Sequence, residues 1–251
     1  MQKLFMITLG IETSCDETAV ALYDSEKGLI GEAVFSQIEL HGEYGGVIPE
    51  LASRAHQSKI VPVISQALLK ANIDKKQLTA IAYTQGPGLL GSLLVGGSFA
   101  KSMALALDLP IIPVNHMHAH LLVHFIEGNL TPEFPFLGIT LSGGHIQLIL
   151  VESYFSFELI GTTLDDAIGE AFDKCGKIMG LSYPAGQEID KLAKNGDKQR
   201  FTFPIANPKG YNVSYSGIKT AFINFIKIEE TKNPKFIKKN LNDLCASLQN
   251  A

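Results

Sequence analysis

The sequence predicts an α/β protein of two duplicated lobes with a cleft between them, and three observations carry that prediction. First, a strand–turn–strand unit occurs twice: ITLGIETSCDETAVALYD at residues 7–24 and FLGITLSGGHIQLILVES at residues 136–153. Each copy is an apolar strand, a polar turn and a second strand, with the alternating or continuous apolar pattern of half-buried and buried strands. Second, helix-period and strand-period segments alternate between the two copies. Third, 251 residues, 46% hydrophobic and 18% charged, suffice for two domains with real cores.

Residues 56–72 have helical apolar spacing, with Pro62 expected in the first turn or at a kink. A short strand at 80–84 ends at Gly86-Pro87-Gly88, and a helix rich in small residues follows over 89–107. Residues 111–114 read as a strand. Asn115 is suited to cap a helix over 116–126 that Gly128 ends. The Pro- and Gly-containing stretch 128–135 is the expected hinge, placing the lobes at 1–130 and 131–251. Beyond the second hairpin, helices are expected at 165–181, 188–195 and 216–228, with a turn at 183–186 and a Pro/Gly/Asn-rich stretch at 204–212. The sequence stops within a helical segment without cap or return strand, which predicts a shortened second lobe.

Cys15, Cys175 and Cys245 are odd in number and widely spaced, which points to reduced thiols in the cytoplasm rather than a disulfide framework. The N-terminal apolar run lacks a cleavage site and reads as a core strand. The apolar stretch 89–109 is interrupted by Lys101 and reads as a buried helix. A net charge of −4 gives no global attraction to nucleic acid. Lys227, Lys232, Lys235, Lys238 and Lys239 are the one candidate patch for RNA, but they are interleaved with Glu229 and Glu230 and read better as a solvated helix face.

Four constellations can carry chemistry. His116 and His120 stand four apart, so both imidazoles share one helix face and can reach one ion such as zinc or iron. His124 continues the row. The alternative is that these histidines line a polar cleft or bond within the core. Met117 follows His116 where a zinc protease has glutamate, so a helix-borne glutamate base is not supported. The turn Ser142-Gly143-Gly144-His145 can present backbone N–H groups and the Ser142 hydroxyl to an anion, or be a plain hairpin turn. The stretch from Gly86 to Ser92 has P-loop-like glycines but no lysine before Ser92, so its glycines are expected to allow close packing at a helix start. Asp166, Glu170 and Asp173, with Asp165 beside them, are expected on one helix, binding a metal or ribose or facing water. Asp190 is a further candidate for a ribose hydroxyl, and Cys15 is read as structural.

Together these pieces resemble the tRNA threonylcarbamoyladenosine transferases, long misnamed O-sialoglycoprotein endopeptidases. The matching segments are GIETSCDETAVAL (10–22), GGVIPELASRAH (45–56), QGPGLLGSLLVG (85–96), KSMALALDLPIIPVNHMHAHL (101–121), LSGGHIQL (141–148), DDAIGEAFDKCGKIMGLSYPAG (165–186) and YSGIKTAF (215–222). The resemblance implies duplicated actin/hexokinase-like, ribonuclease H-like lobes. It implies that His116 and His120 ligate one divalent ion per subunit, Fe2+ or Zn2+. It also implies that Thr140, Leu141, Ser142, Gly143, Gly144, Asp173, Gly186 and Asp190 hold the adenylate of threonylcarbamoyl-AMP. The implied reaction moves threonylcarbamoyl to N6 of the tRNA adenosine at position 37, 3′ of the anticodon, and releases AMP. A smaller paralogue of the same fold and a P-loop ATPase are the implied partners, with no membrane involved. Two departures stand out. Pro184-Ala185-Gly186-Gln187 replaces the family's Pro-Gly-Gly-Pro. The family's C-terminal segment, with its nucleotide loop and a third, aspartate metal ligand, has no counterpart here, so little activity is expected of this chain alone. The competing readings are a non-catalytic paralogue-like scaffold and an actin-like-fold phosphotransferase acting on a small metabolite; the histidine pair favours the transferase.

Overall fold

The computed structural model describes residues 5–126 and 131–251, so the expected helix end at Gly128 and the first part of the hinge lie outside the described residues. The chain divides into two compact units, Met1–Pro132 and Glu133–Ala251.

In the first unit, β1 (Ile7–Glu12), β2 (Glu17–Asp24) and β3 (Gly28–Ser36) form an antiparallel meander. The short α1 (Ile38–Gly42) and the long α2 (Pro49–Ala71) follow. Then β4 (Ala80–Gly86), α3 (Leu90–Leu107) and β5 (Ile111–Asn115) extend the sheet in parallel, in the order β3-β2-β1-β4-β5. The period of two along β1 turns Ile7, Leu9 and Ile11 into the core. There they join Val20, Leu22 and Ile81, and α2 covers them with Ile60, Val63, Ile64 and Ala67. Each such aliphatic side chain stabilises the fold by about 1.5–3 kcal/mol when fully buried.

The helix expected from residue 56 begins earlier, at Pro49, because proline is pre-organised for the first helical position. Pro62 therefore lies inside α2 rather than in its first turn. It is exposed, so water can reach the carbonyl that proline leaves unbonded.

Only one face of α3 is buried, and its residues are small: Ser92, Gly96, Gly97, Ala100 and Ala104. Leu90, Leu94 and Leu105 are exposed, so the expectation of a buried helix holds for one face alone. By length and composition this 18-residue helix could also cross a membrane. Its glycines do serve close packing. A Cβ on Gly88 would stand 2.6 Å from the Ser14 carbonyl oxygen, and one on Gly96 would stand 2.2 Å from Thr13 Oγ1. The Leu89 N–H donates to Ser14 O (2.8 Å) and Thr13 Oγ1 donates to Ser92 O (2.9 Å), which ties the start of α3 to the turn after β1.

In the second unit, β6 (Phe136–Leu141), β7 (Ile146–Ser153) and β8 (Ser156–Thr162) repeat the antiparallel meander in the order β6-β7-β8. Four helices follow: α5 (Ile168–Met179), α6 (Gly186–Ala193), α7 (Ser216–Lys232) and α8 (Phe236–Asn250). Their core is formed by Cys175, Met179, Ile189, Phe222, Ile226, Leu244 and Leu248. Phe201, Phe203, Phe225 and Phe236 pack edge-on or tilted around it with centroids 5.3–5.8 Å apart.

Candidate functional site

In the first unit, the carboxyl ends of the parallel strands β1, β4 and β5 converge, the usual place for a site in an open α/β sheet. β1 ends at Glu12, β4 carries Thr84 near its end, and β5 hands over to α4 (His116–Leu122) through Asn115. The Asn115 side chain accepts from the N–H groups of Met117 (2.9 Å) and His118 (3.2 Å), as expected of a cap. One turn of α4 then brings His116 Nε2 and His120 Nε2 to 3.1 Å from each other. The rings meet edge to face, with centroids 4.5 Å apart.

Two nitrogens bound to one tetrahedral ion at ordinary zinc–imidazole distances lie about 3.3 Å apart. The imidazole pair therefore fits a single borderline ion such as Zn2+ or Fe2+. Among the described residues no cluster of three or more His, Cys, Asp or Glu suited to a metal is found, so the pair supplies two donors. His124 does not complete it. The helix tightens to a 3₁₀ turn over Val123–Phe125, which breaks the four-residue row.

Glu12 is the residue that the sequence did not connect to this centre. Its Oε2 lies 3.3 Å from His116 Nδ1, and Ser14 Oγ is also 3.3 Å from that nitrogen. Glu12 further accepts from the Ser14 N–H and the Thr84 hydroxyl. Burial disfavours its charge, yet the bonds from His116, Ser14 and Thr84 prevail and hold the carboxyl at about 2. Cys15, in the same turn, has no group that activates it: desolvation, then Asp16, Glu12 and Glu17, push its thiol up to about 12.

In the second unit the candidate adenylate residues form a connected row. Thr140 is buried near the end of β6, its Oγ1 3.5 Å from Gln147 O, and Leu141 is exposed. The Ser142 hydroxyl accepts from the His145 N–H (2.9 Å) and donates to His145 O (3.2 Å). It is therefore spent on closing the turn, where the sequence suggested an outward donor. Gly143 and Gly144 face open space, since a Cβ on either would meet nothing within 4 Å. A Cβ on Gly169 would stand 2.7 Å from Gly143 Cα, so the glycine turn lies directly against the first turn of α5.

One turn along α5, Asp173 Oδ1 accepts from the Ala185 N–H (2.7 Å), which joins α5 to the residue before Gly186. Burial, and secondarily Glu170, raise the Asp173 carboxyl above its ordinary value against that bond. Asp190 lies one turn after Gly186 on α6, where Gln249 Nε2 donates to it (3.0 Å) and Lys194 pairs with it (3.0 Å).

The expected carboxylate row of Asp166, Glu170 and Asp173 is not formed, because α5 starts only at Ile168. Asp166 pairs instead with Lys174 (3.1 Å) and Lys219, and Asp165 accepts from the Tyr215 (2.8 Å) and Ser216 (3.1 Å) N–H groups at the start of α7. Both acids are structural.

A profile of the tRNA N6-adenosine threonylcarbamoyltransferase family matches residues 28–251. The chain is 56% identical over 243 residues to the tRNA N6-adenosine threonylcarbamoyltransferase of Christiangramia forsetii, covering 96% of this chain and 71% of that protein. It is 51% identical over 251 residues to the enzyme of the same name from Porphyromonas gingivalis, covering 98% of this chain and 73% of that protein. Among solved structures, component A of the (R)-2-hydroxyglutaryl-CoA dehydratase of Acidaminococcus fermentans superposes with a TM-score of 0.56 at 14% identity, over 97% of this chain and 73% of that one. The fold is thus the duplicated actin/hexokinase-like one. With a profile that spans most of the sequence and relatives more than half identical, the chain belongs to the tRNA N6-adenosine threonylcarbamoyltransferase family.

Proposed function

We propose that this protein transfers a threonylcarbamoyl group from threonylcarbamoyl-AMP to N6 of the adenosine at position 37 of tRNAs that read codons beginning with A. The observation that carries this reading is the 51–56% identity, over nearly the whole chain, to proteins named tRNA N6-adenosine threonylcarbamoyltransferase. The N6 nitrogen forms a bond to the carbamoyl carbon, the bond from that carbon to the phosphate oxygen breaks, N6 loses a proton, and AMP leaves.

His116 and His120 would hold one Fe2+ or Zn2+ ion through their converging Nε2 atoms. Such an ion supplies Lewis acidity to the carbamoyl carbonyl. The adenylate is held by Thr140, Leu141, Ser142, Gly143, Gly144, Asp173, Gly186 and Asp190. The open backbone at Gly143 and Gly144 lets N–H groups approach the phosphate and stabilise the charge of departing AMP. Asp190, exposed on α6, would accept from a ribose hydroxyl in competition with Gln249 and Lys194. The reaction takes place in the cytoplasm, with a smaller paralogue of the same fold and a P-loop ATPase as partners.

The test is incubation of the full-length protein with threonylcarbamoyl-AMP, unmodified tRNA and both partners, followed by nucleoside mass spectrometry. Threonylcarbamoyladenosine is the expected product, and its absence would overturn the proposal. Metal analysis of the wild type, His116→Ala and His120→Ala checks the ion separately: content should fall in both variants, and unchanged content in both would remove the assignment.

A further inference from the structure

Outside the histidine pair, the feature that the proposed reaction leaves unused is the carboxylate of Glu12. It is distant in sequence from α4, yet three separate donors converge on it: the Ser14 N–H, the Thr84 hydroxyl and His116 Nδ1. The first two belong to the turn after β1 and to β4, so the carboxylate is fixed by the sheet and not by the helix it faces. A neutral imidazole carries one proton. With a carboxylate, an obligate acceptor, beside Nδ1, that proton sits on Nδ1 and the Nε2 lone pair is left to face His120 Nε2, 3.1 Å away.

We infer that Glu12 is a positioning residue of the transferase: it fixes His116 in the Nδ1–H tautomer and holds the ring so that Nε2 presents its lone pair to the ion. This rests on the reading of His116 as a metal ligand. Carboxylates that accept from the far nitrogen of a ligating imidazole orient the ring and strengthen its basicity, and their removal typically weakens metal affinity about 10- to 100-fold. Ser14 Oγ, also near Nδ1, is a second acceptor for the same proton. Thr84 and the Ser14 backbone keep the carboxylate from swinging away when the ring moves.

Two measurements separate this inference from the metal assignment. In the metal-free wild type labelled with ¹⁵N-histidine, long-range ¹H–¹⁵N spectra report the tautomer of each ring, with His116→Ala identifying the signal. The expected pattern is Nδ1 protonated; an Nε2–H tautomer at His116 overturns the inference whether or not any variant folds. Zn2+ affinity, from competition with a chromophoric chelator, should then fall about 10- to 100-fold in Glu12→Gln, a variant that keeps the size of the side chain. A folded Glu12→Gln that binds Zn2+ like the wild type also overturns the inference, while the metal site stands. If the wild type itself binds no Zn2+, the metal reading fails and the role of Glu12 toward the ion fails with it.

Discussion

His56 lies wholly buried beneath the turn after β1, and its neighbours dictate its protonation. Nε2 donates to the Cys15 carbonyl (3.0 Å), and in the neutral ring, which burial favours, Nδ1 accepts from the Thr18 hydroxyl (2.8 Å). Burial is the first cause that lowers its pKa; the Cys15 bond and the charges of Glu12 and Asp16 oppose it, and His41 adds to it. The unfolded chain therefore takes up the proton more readily than the folded one. Stability from this group is intact above its unfolded pKa of about 6.5, and declines as pH falls through that value toward the lower folded pKa. The slope is at most about 1.4 kcal/mol per pH unit. Urea unfolding between neutral pH and mild acid should show a shallower loss of stability in His56→Gln than in the wild type, and equal slopes would exclude His56 as a source. At this scale the sequence shows what is local. His116 and His120 are legible because four residues make one helical turn. Glu12 is not, because its partnership with His116 is created by the parallel pairing of β1, β4 and β5.

Elements carry their own chemistry in how closely they approach. The start of α3 can lie on the turn after β1 only because Gly88 lacks a side chain. Gly88→Ala would drive a Cβ into the Ser14 carbonyl, and overpacking of this kind costs about 1–3 kcal/mol. Gly217, in the first turn of α7, has nothing within 4 Å of a built Cβ, so Gly217→Ala should instead stabilise by up to about 1 kcal/mol through helix propensity. Opposite signs from the same substitution, read by urea unfolding, test the packing argument; equal signs would refute it. Asn115→Ala should cost about 1 kcal/mol and also lower Zn2+ affinity, because the cap fixes the turn that carries His116. A stable variant with unchanged affinity would show that α4 holds its place without the cap. Helices α2 to α8 and the first two strands of each meander were legible from periodicity, whereas the five-residue α1 is too short to show one. The third strands, β3 and β8, were not, since each lies at a sheet edge and mixes buried with exposed positions without strict alternation. The start of α5 was misplaced because Asp165 and Asp166 look like first-turn acids while their partners lie some fifty residues further on, around the start of α7.

On the scale of the whole molecule, the repeated strand–turn–strand announced the duplication, but it could not distribute the chemistry between the halves. Glu12, Ser14, Thr84, His116 and His120 all belong to the first unit, Met1–Pro132. That unit has a five-stranded sheet and a core of its own, built from β1, β2 and β4 under α2 and α3. The candidate adenylate row, from Thr140 to Asp190, belongs wholly to the second unit. The two functions of the proposed site should therefore be separable. A fragment of residues 1–132 should fold on its own, giving a dispersed amide spectrum and a single cooperative urea transition, because its core draws on no residue beyond it. It should bind Zn2+ with the affinity of the whole chain and lose that affinity on His116→Ala. AMP, titrated into the same fragment, should produce no shifts, whereas in the whole chain it should shift the resonances of Gly143 and Gly144. Zn2+ binding by the whole chain but not by a folded fragment would mean that a donor from the second unit completes the ion's ligand set. AMP shifts within the fragment would move the nucleotide site out of the glycine turn.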